Sequence, residues 1–179
     1  MRRFPVLILA LALLALLAVP AGASAAVRHA VPSGGAACTL EHAIAGAAPG
    51  DTVRLAGGTY GFTAPIELTA GALTVEGDPA GAPPLLQWTG SADASAIYLS
   101  AAGQTLRHLR VEGGVNGAEV LVRTNGAVGN ATLDHVEVRN AGSGTAVAVR
   151  ASAIRNSVLV STGAGGFAGR SLVRVGVGL

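Results

Sequence analysis

The chain has 179 residues, half of them hydrophobic, 12% charged and 3% aromatic, with 26 glycines and no lysine. Its formal charge of +2 rests on 12 arginines against 10 carboxylates, and two of those arginines fall in the first three residues, so global charge gives no support to a nucleic-acid partner. A single cysteine excludes an internal disulfide.

Arg2 and Arg3 precede an unbroken apolar run from Val6 to Val19, and Ala23-Ser24-Ala25 offers small residues for cleavage. This pattern predicts a secretory signal peptide over residues 1–25, shorter than a comfortable membrane span. Cleavage would leave one domain in which ten arginines face ten carboxylates, secreted or held at the cell surface, with no membrane partner. Residues 26–36 read as a leader and 37–179 as the folded domain. Cys38 is expected as a buried thiol; an intermolecular bridge, or a pairing with a cysteine in a longer relative, stays open.

Thr39 can cap a helix. Leu40, Ala43, Ile44 and Ala47 then follow at helical spacing, and Pro49-Gly50-Asp51 ends the segment. Short apolar runs follow at 52–55, 65–68, 73–76, 85–88 and 96–99, separated by Gly, Pro, Asn and Asp. With no helices between the runs, a doubly wound sheet is excluded. Asn116-Gly117 and Asn125-Gly126 would suit the hairpins of a sandwich.

The later half argues against a sandwich. Leu106-Arg-His-Leu-Arg-Val111, Leu133-Asp-His-Val-Glu-Val138 and Ile154-Arg-Asn-Ser-Val-Leu159 restate one phrase at spacings of 27 and 21 residues. Val120-Leu-Val-Arg123, Val147-Ala-Val-Arg150 and, more loosely, Phe167-Ala-Gly-Arg170 restate a second, at 27 and 20. Two phrases repeating in step predict a coil stacked on itself. The expected fold is all-β, a right-handed parallel β-helix with one short N-terminal capping helix. Leu106, Leu133 and Ile154, then Leu109 and Val136, then Val111, Val138 and Leu159 would fill a shared interior. His108, His135 and Asn156 would share one corner.

Cys38-Thr-Leu-Glu-His-Ala-Ile44, Pro49-Gly-Asp-Thr-Val-Arg-Leu55 and Gly58-Thr-Tyr60 together resemble the start of secreted pectin-lyase-like β-helix proteins, where a Cys-Ser-Leu-Arg-Glu-Ala-Ile segment is often found. With the repeats, the resemblance covers roughly residues 37–175. It implies that the helix caps the coil and that the Pro-Gly-Asp turn feeds the first strand. It does not imply one activity, because the fold serves lyases, hydrolases, adhesins and spike proteins alike.

Lyases and hydrolases of that fold use clustered outward carboxylates, with an Arg or Lys base in the lyases. After the signal peptide the aspartates are Asp51, Asp78, Asp93 and Asp134, none adjacent to another. Leu133-Asp134-His135 is similar to the Ile-Asp-His segment of pectate lyases, which makes Asp134, His135 and Arg139 the catalytic candidates of an enzyme reading. Stacking gives these residues a structural role instead. It puts Asp134 between Arg107 and Arg155, Glu137 beside Arg110, and Glu112 beside Arg139, as stabilising cross-strand pairs. His108 and His135 lack a recurring third ligand, so no metal or other cofactor is expected. Arg123, Arg150 and Arg170 are the candidate ligand-binding residues, a stripe of guanidinium groups suited to carboxylate or sulfate. Asn116, Asn125 and Asn130 would add sugar hydrogen bonds or serve as turn residues.

The expected function is an exported scaffold or surface-binding module contacting acidic polysaccharide; the alternative is a polysaccharide lyase or glycoside hydrolase. Val175-Gly-Val-Gly-Leu179 reads as a stop in mid-coil, which predicts a truncated domain whose open end pairs with further coils or another chain.

Overall fold

The computed structural model describes residues 24–32, 39–114, 117–125, 130–141, 145–150, 153–161 and 173–176, with backbone alone for 145, 146, 148–150 and 173–176. Residues 1–23 of the signal-peptide reading, Cys38, Asn116, Arg170 and residues 177–179 lie outside the described residues.

Every described strand pairs in parallel, and the chain winds through about five turns of a β-solenoid. Each turn passes three faces. The first carries β1 (Val27–Ala30), β2 (Thr52–Leu55), β5 (Thr74–Gly77), the leading half of β8 (Thr105–Gly113), the leading half of β10 (Thr132–Asn140), and β12 (Ala153–Arg155). The second carries β3 (Thr59–Phe62), β6 (Leu85–Trp88), the trailing halves of β8 and β10, and β13 (Val158–Ser161). The third stacks β4 (Ile66–Leu68), β7 (Ser95–Leu99), β9 (Val120–Thr124), β11 (Thr145–Arg150) and β14 (Val173–Gly176). The all-β parallel architecture expected from the two repeated phrases is the one observed.

Neighbouring parallel strands lie about 4.8 Å apart, so equivalent residues form columns. Val53, Val75, Leu106, Leu133 and Ile154 make one interior column. Tyr60, Leu86, Val111, Val138 and Leu159 make a second. Ile66, Ile97, Val122 and Val147 make a third, on the inner side of the remaining face. Phe62 and Trp88 meet edge to face at 5.5 Å near the base. Together these residues belong to one continuous core.

Corners repeat as well. His108, His135 and Asn156 hold φ of 52°, 53° and 49°, and they turn the chain from the first face to the second. The corner that feeds the first face carries Gly50, Ala72, Gly103 and Asn130, with φ of 86°, 53°, 75° and 69°. Each of these stands two residues before a stacked threonine, Thr52, Thr74, Thr105 or Thr132. Left-handed backbone favours Gly and Asn, with His among the tolerated types, which accounts for the histidines at the first corner. Buried polar side chains close the backbone bonding where the coil bends. Gln104 Nε2 donates to the carbonyls of Leu68 and Ala70 at 2.7 and 2.8 Å. Asn140 Nδ2 donates to the Ala118 carbonyl at 2.8 Å, and its Oδ1 accepts from the Ala118 amide at 3.0 Å.

The cap departs from the sequence reading in two respects. The helix, α1 (Leu40–Ala45), is shorter than the expected 40–47, because Gly46 already closes it. Thr39 caps its start as expected, accepting from the His42 amide at 3.2 Å, and Leu40, Ala43 and Ile44 are buried. Part of the expected leader is structured. Residues 27–30 form β1 and extend the first face by one strand, because Arg28 pairs with Val53 and Ala30 with Leu55. The Tyr60 hydroxyl stands 2.8 Å from the Ala30 carbonyl and 3.0 Å from that of Ala56, tying β1 to the first turn.

Asp51 knots this end together. Its buried carboxylate accepts from the Ala26 amide at 2.8 Å, the Ala48 amide at 2.9 Å and Arg28 Nε at 3.0 Å. These bonds, the backbone ones foremost, hold its pKa at about 2, below the ordinary 3.8. A depressed carboxylate contributes stability above its unfolded pKa and loses it as pH falls through the folded value. The urea midpoint should therefore stay level from about pH 7 to 5 and fall between about pH 4 and 2. Asp51→Asn should lower the midpoint at neutral pH and flatten that acid limb.

Candidate functional site

The outward residue of the first face alternates in sign through five turns: Arg54, Glu76, Arg107, Asp134, Arg155. The sequence reading caught the upper three and missed the lower two. The triplet of threonine, apolar residue and charged residue was the available signal: Thr52-Val-Arg54, Thr74-Val-Glu76, Thr105-Leu-Arg107 and Thr132-Leu-Asp134.

Glu76 is the chemical centre of this column. It is 2% exposed and lies between two guanidinium groups. Arg54 Nη2 sits 2.5 Å from Oε1, and Arg107 Nη2 sits 2.5 Å from Oε2. Burial pushes the Glu76 pKa up; the hydrogen bonds from Arg54 and Arg107 outweigh it and hold the carboxyl below the usual range. Glu76 is thus an ionised structural anion.

Asp134 has the expected register, opposite Arg107 below and Arg155 above. Its carboxylate is engaged sideways instead. Oδ1 accepts from Asn156 Nδ2 at 3.0 Å and from His135 Nδ1 at 2.9 Å, while Arg107 reaches down to Glu76. The Asn156 bond leads in lowering the Asp134 pKa; partial burial opposes it and His135 adds to it. The His135 ring stacks on His108, centroids 4.8 Å apart with planes inclined by 30°.

Arg139 does not join Asp134 and His135. It lies beyond the corner on the second face, in register with Glu112 as expected, and its guanidinium binds Glu137. Arg110 Nε stands 3.0 Å from Glu137 Oε2, as the pairing of Arg110 and Glu137 predicted, and Arg110 also binds Glu112. Glu112, Arg110, Glu137 and Arg139 thus form one chain of alternating charge. The structure brings together two of the three catalytic candidates, Asp134 and His135, and commits the third to a neighbouring carboxylate.

The arginine stripe of the third face needs a correction. Arg123 is in register with Ala148, not Arg150, and Val122 with Val147. Arg150 stands two positions further along β11, opposite Gly176. The outward column therefore runs Glu67, Tyr98, Arg123, and the backbone register continues from Arg123 to positions 148 and 174. Both Tyr98 and Arg123 are half-buried, and Arg123 has a loose partner in Glu119 at 3.7 Å, the two side chains 43% and 47% exposed.

Among the described residues no group of three His, Cys, Asp or Glu side chains is placed to hold a metal ion, and no helix is long and apolar enough to cross a membrane. A hollow of about 560 Å³ lies at the seam between α1 and strands β3 and β4. Its titratable groups are Glu41 and Glu67, and Glu67 accepts from Ser100 Oγ at 2.7 Å. No protein-family model, curated protein or solved structure matches this chain.

Removing one member of a buried ion pair strands the others, whereas replacing the whole set with apolar groups does not. Glu76→Gln should cost roughly 2–4 kcal/mol in chemical denaturation. The triple change Arg54→Met, Glu76→Leu, Arg107→Met should cost less than that single change.

Proposed function

We propose that this protein is an exported β-helix scaffold of the pectin-lyase-like kind that binds acidic polysaccharide on the outer side of its third face. The observation that carries the reading is the pairing of Tyr98 and Arg123 in one outward column. They stand one turn apart, about 4.8 Å along the axis. An aromatic ring offers a stacking platform for a sugar. The guanidinium beside it offers two parallel donors to a carboxylate or sulfate.

Contrast with the other arginines supports this choice. Arg54 and Arg107 are held by Glu76, and Arg110 and Arg139 by Glu137. Arg123 meets Glu119 at 3.7 Å, the longest of these ion pairs, so a polyanion displaces little to reach it. Arg150 and Arg170 remain candidates for extending the same site, with Arg150 two register positions away from the column. The scaffold reading gains further support from the carboxylates Glu76, Glu112 and Glu137. All three are committed to arginine, whereas acid, base or calcium chemistry asks for clustered free carboxylates.

Arg123→Gln with Tyr98→Ala should weaken retention on immobilised polygalacturonate or a sulfated glycan about fivefold to tenfold, a change of about 1–1.4 kcal/mol. Wild-type retention should also fall as salt rises. Unchanged retention in the double variant would discard this face. A calcium-dependent rise in unsaturated-uronate absorbance that Asp134→Asn abolishes would instead establish the lyase alternative.

A further inference from the structure

The corner between the first and second faces carries a second concave site, separate from the Tyr98 and Arg123 face. In the third and fourth turns that corner is one residue, His108 or His135, inside an unbroken strand. The second turn instead leaves β5 at Gly77 and starts β6 at Leu85, with residues 78–84 inserted between. This loop, rich in proline, stands beside the imidazole column and borders an open, shallow pocket of about 380 Å³. That volume is within the range of about 300–1,000 Å³ usual for small-molecule sites.

Pro79, Pro83 and Val158 give the pocket apolar walls, and Val158 is 53% exposed, unusual for a residue of its kind here. His108, His135, Asn156, Asp78, Glu137 and Arg110 supply the polar lining, and the Asn156 amide is spent on Asp134. Arg110 is already engaged by Glu137 and Glu112. His135 Nδ1 is engaged by Asp134 Oδ1 at 2.9 Å, so Nε2 is the ring nitrogen left to meet a ligand. The lining thus offers acceptors and negative charge over apolar walls. Carboxylates disfavour an anion here. A metal ion is disfavoured too, because it must lie in the plane of each ligating ring, and these two rings are stacked face to face.

We propose that this pocket binds a compact ligand carrying a primary ammonium group, whose three donors meet the Asp78 carboxylate and His135 Nε2 while its carbon frame lies on Pro79, Pro83 and Val158. An amino sugar and an alkylammonium ion share this chemistry. The proposal stands independently of the acidic-glycan reading, which concerns a different face and a ligand of opposite charge.

The test is titration of the protein with glucosamine, N-acetylglucosamine and 1,5-diaminopentane, followed by the imidazole nitrogen resonances of His108 and His135. Glucosamine or diaminopentane should shift the His135 signals, and N-acetylglucosamine, which lacks the ammonium, should bind at least tenfold more weakly. Tighter binding of glucosamine assigns an amino sugar, and tighter binding of diaminopentane assigns an alkylammonium ion. The double change Asp78→Asn and His135→Asn should weaken binding at least tenfold; asparagine suits the left-handed corner, as Asn156 does one turn above. Equal binding of the acetylated sugar, unchanged affinity in a folded double variant, or silent histidine signals with all three ligands would overturn the proposal.

Discussion

Vertical register governs this molecule. In a parallel coil every side chain rests on its equivalent one turn below, so each position must tolerate a copy of itself about 4.8 Å away. Apolar residues do so readily, and the columns headed by Val53, Tyr60 and Ile66 fill the interior by simple repetition. Charged residues do not, because like charges directly opposite repel. The first face answers by alternating sign over five turns, from Arg54 to Arg155. Backbone conformation obeys the same rule. A left-handed residue in one turn stands over a left-handed residue in the next, at both repeated corners.

Alternation makes framework of the buried carboxylate of the first face, Glu76, which lies between Arg54 and Arg107. A carboxylate between two guanidinium groups is stabilised as an anion and is ill suited to exchanging protons near neutral pH. Glu76 shows this fully: burial alone would raise its pKa, and the two arginines reverse the direction. Asp134 occupies an equivalent place one sign-period higher, yet its carboxylate bonds Asn156 and His135. The difference follows from what shares its corner. Gly77, beside Glu76, has no side chain, and a Cβ there would lie 2.2 Å from the His108 carbonyl oxygen. Asp134 instead has an imidazole next to it and an amide above.

The first phrase was legible in the sequence residue by residue, because it carries a left-handed corner in its middle. His108, His135 and Asn156 can align in one way only, and the apolar and charged columns on either side follow. The second phrase lacks such an anchor. Its apolar residues alternate with a period of two, so a shift of two residues preserves which side chains face inward. Matching Arg123 to Arg150 satisfied that alternation, and so does the observed match of Arg123 to Ala148. The lower turns were hidden for another reason: residues 78–84 interrupt the phrase, so Glu76 and Arg54 were never set in line with Arg107. β1 was hidden because four residues pairing with one neighbour leave no periodic trace of their own.

Irregularity is then the more informative feature on the surface. A perfect coil offers flat ladders whose charges cancel, and it gives a ligand nothing concave to enter. The stacked threonines and Ala153 that open successive turns fall 22, 31, 27 and 21 residues apart, and the longest interval contains the inserted loop at 78–84. Surplus residues cannot enter the packed interior without breaking a column, so they are pushed outward at a corner. There they stand against side chains that the neighbouring turns already hold in fixed conformations. The third face breaks the rule in composition rather than length: its outward column runs Glu67, Tyr98, Arg123, with an uncharged residue between the two charges. Stability here depends on repetition, and both surfaces with unspent chemistry lie where repetition lapses.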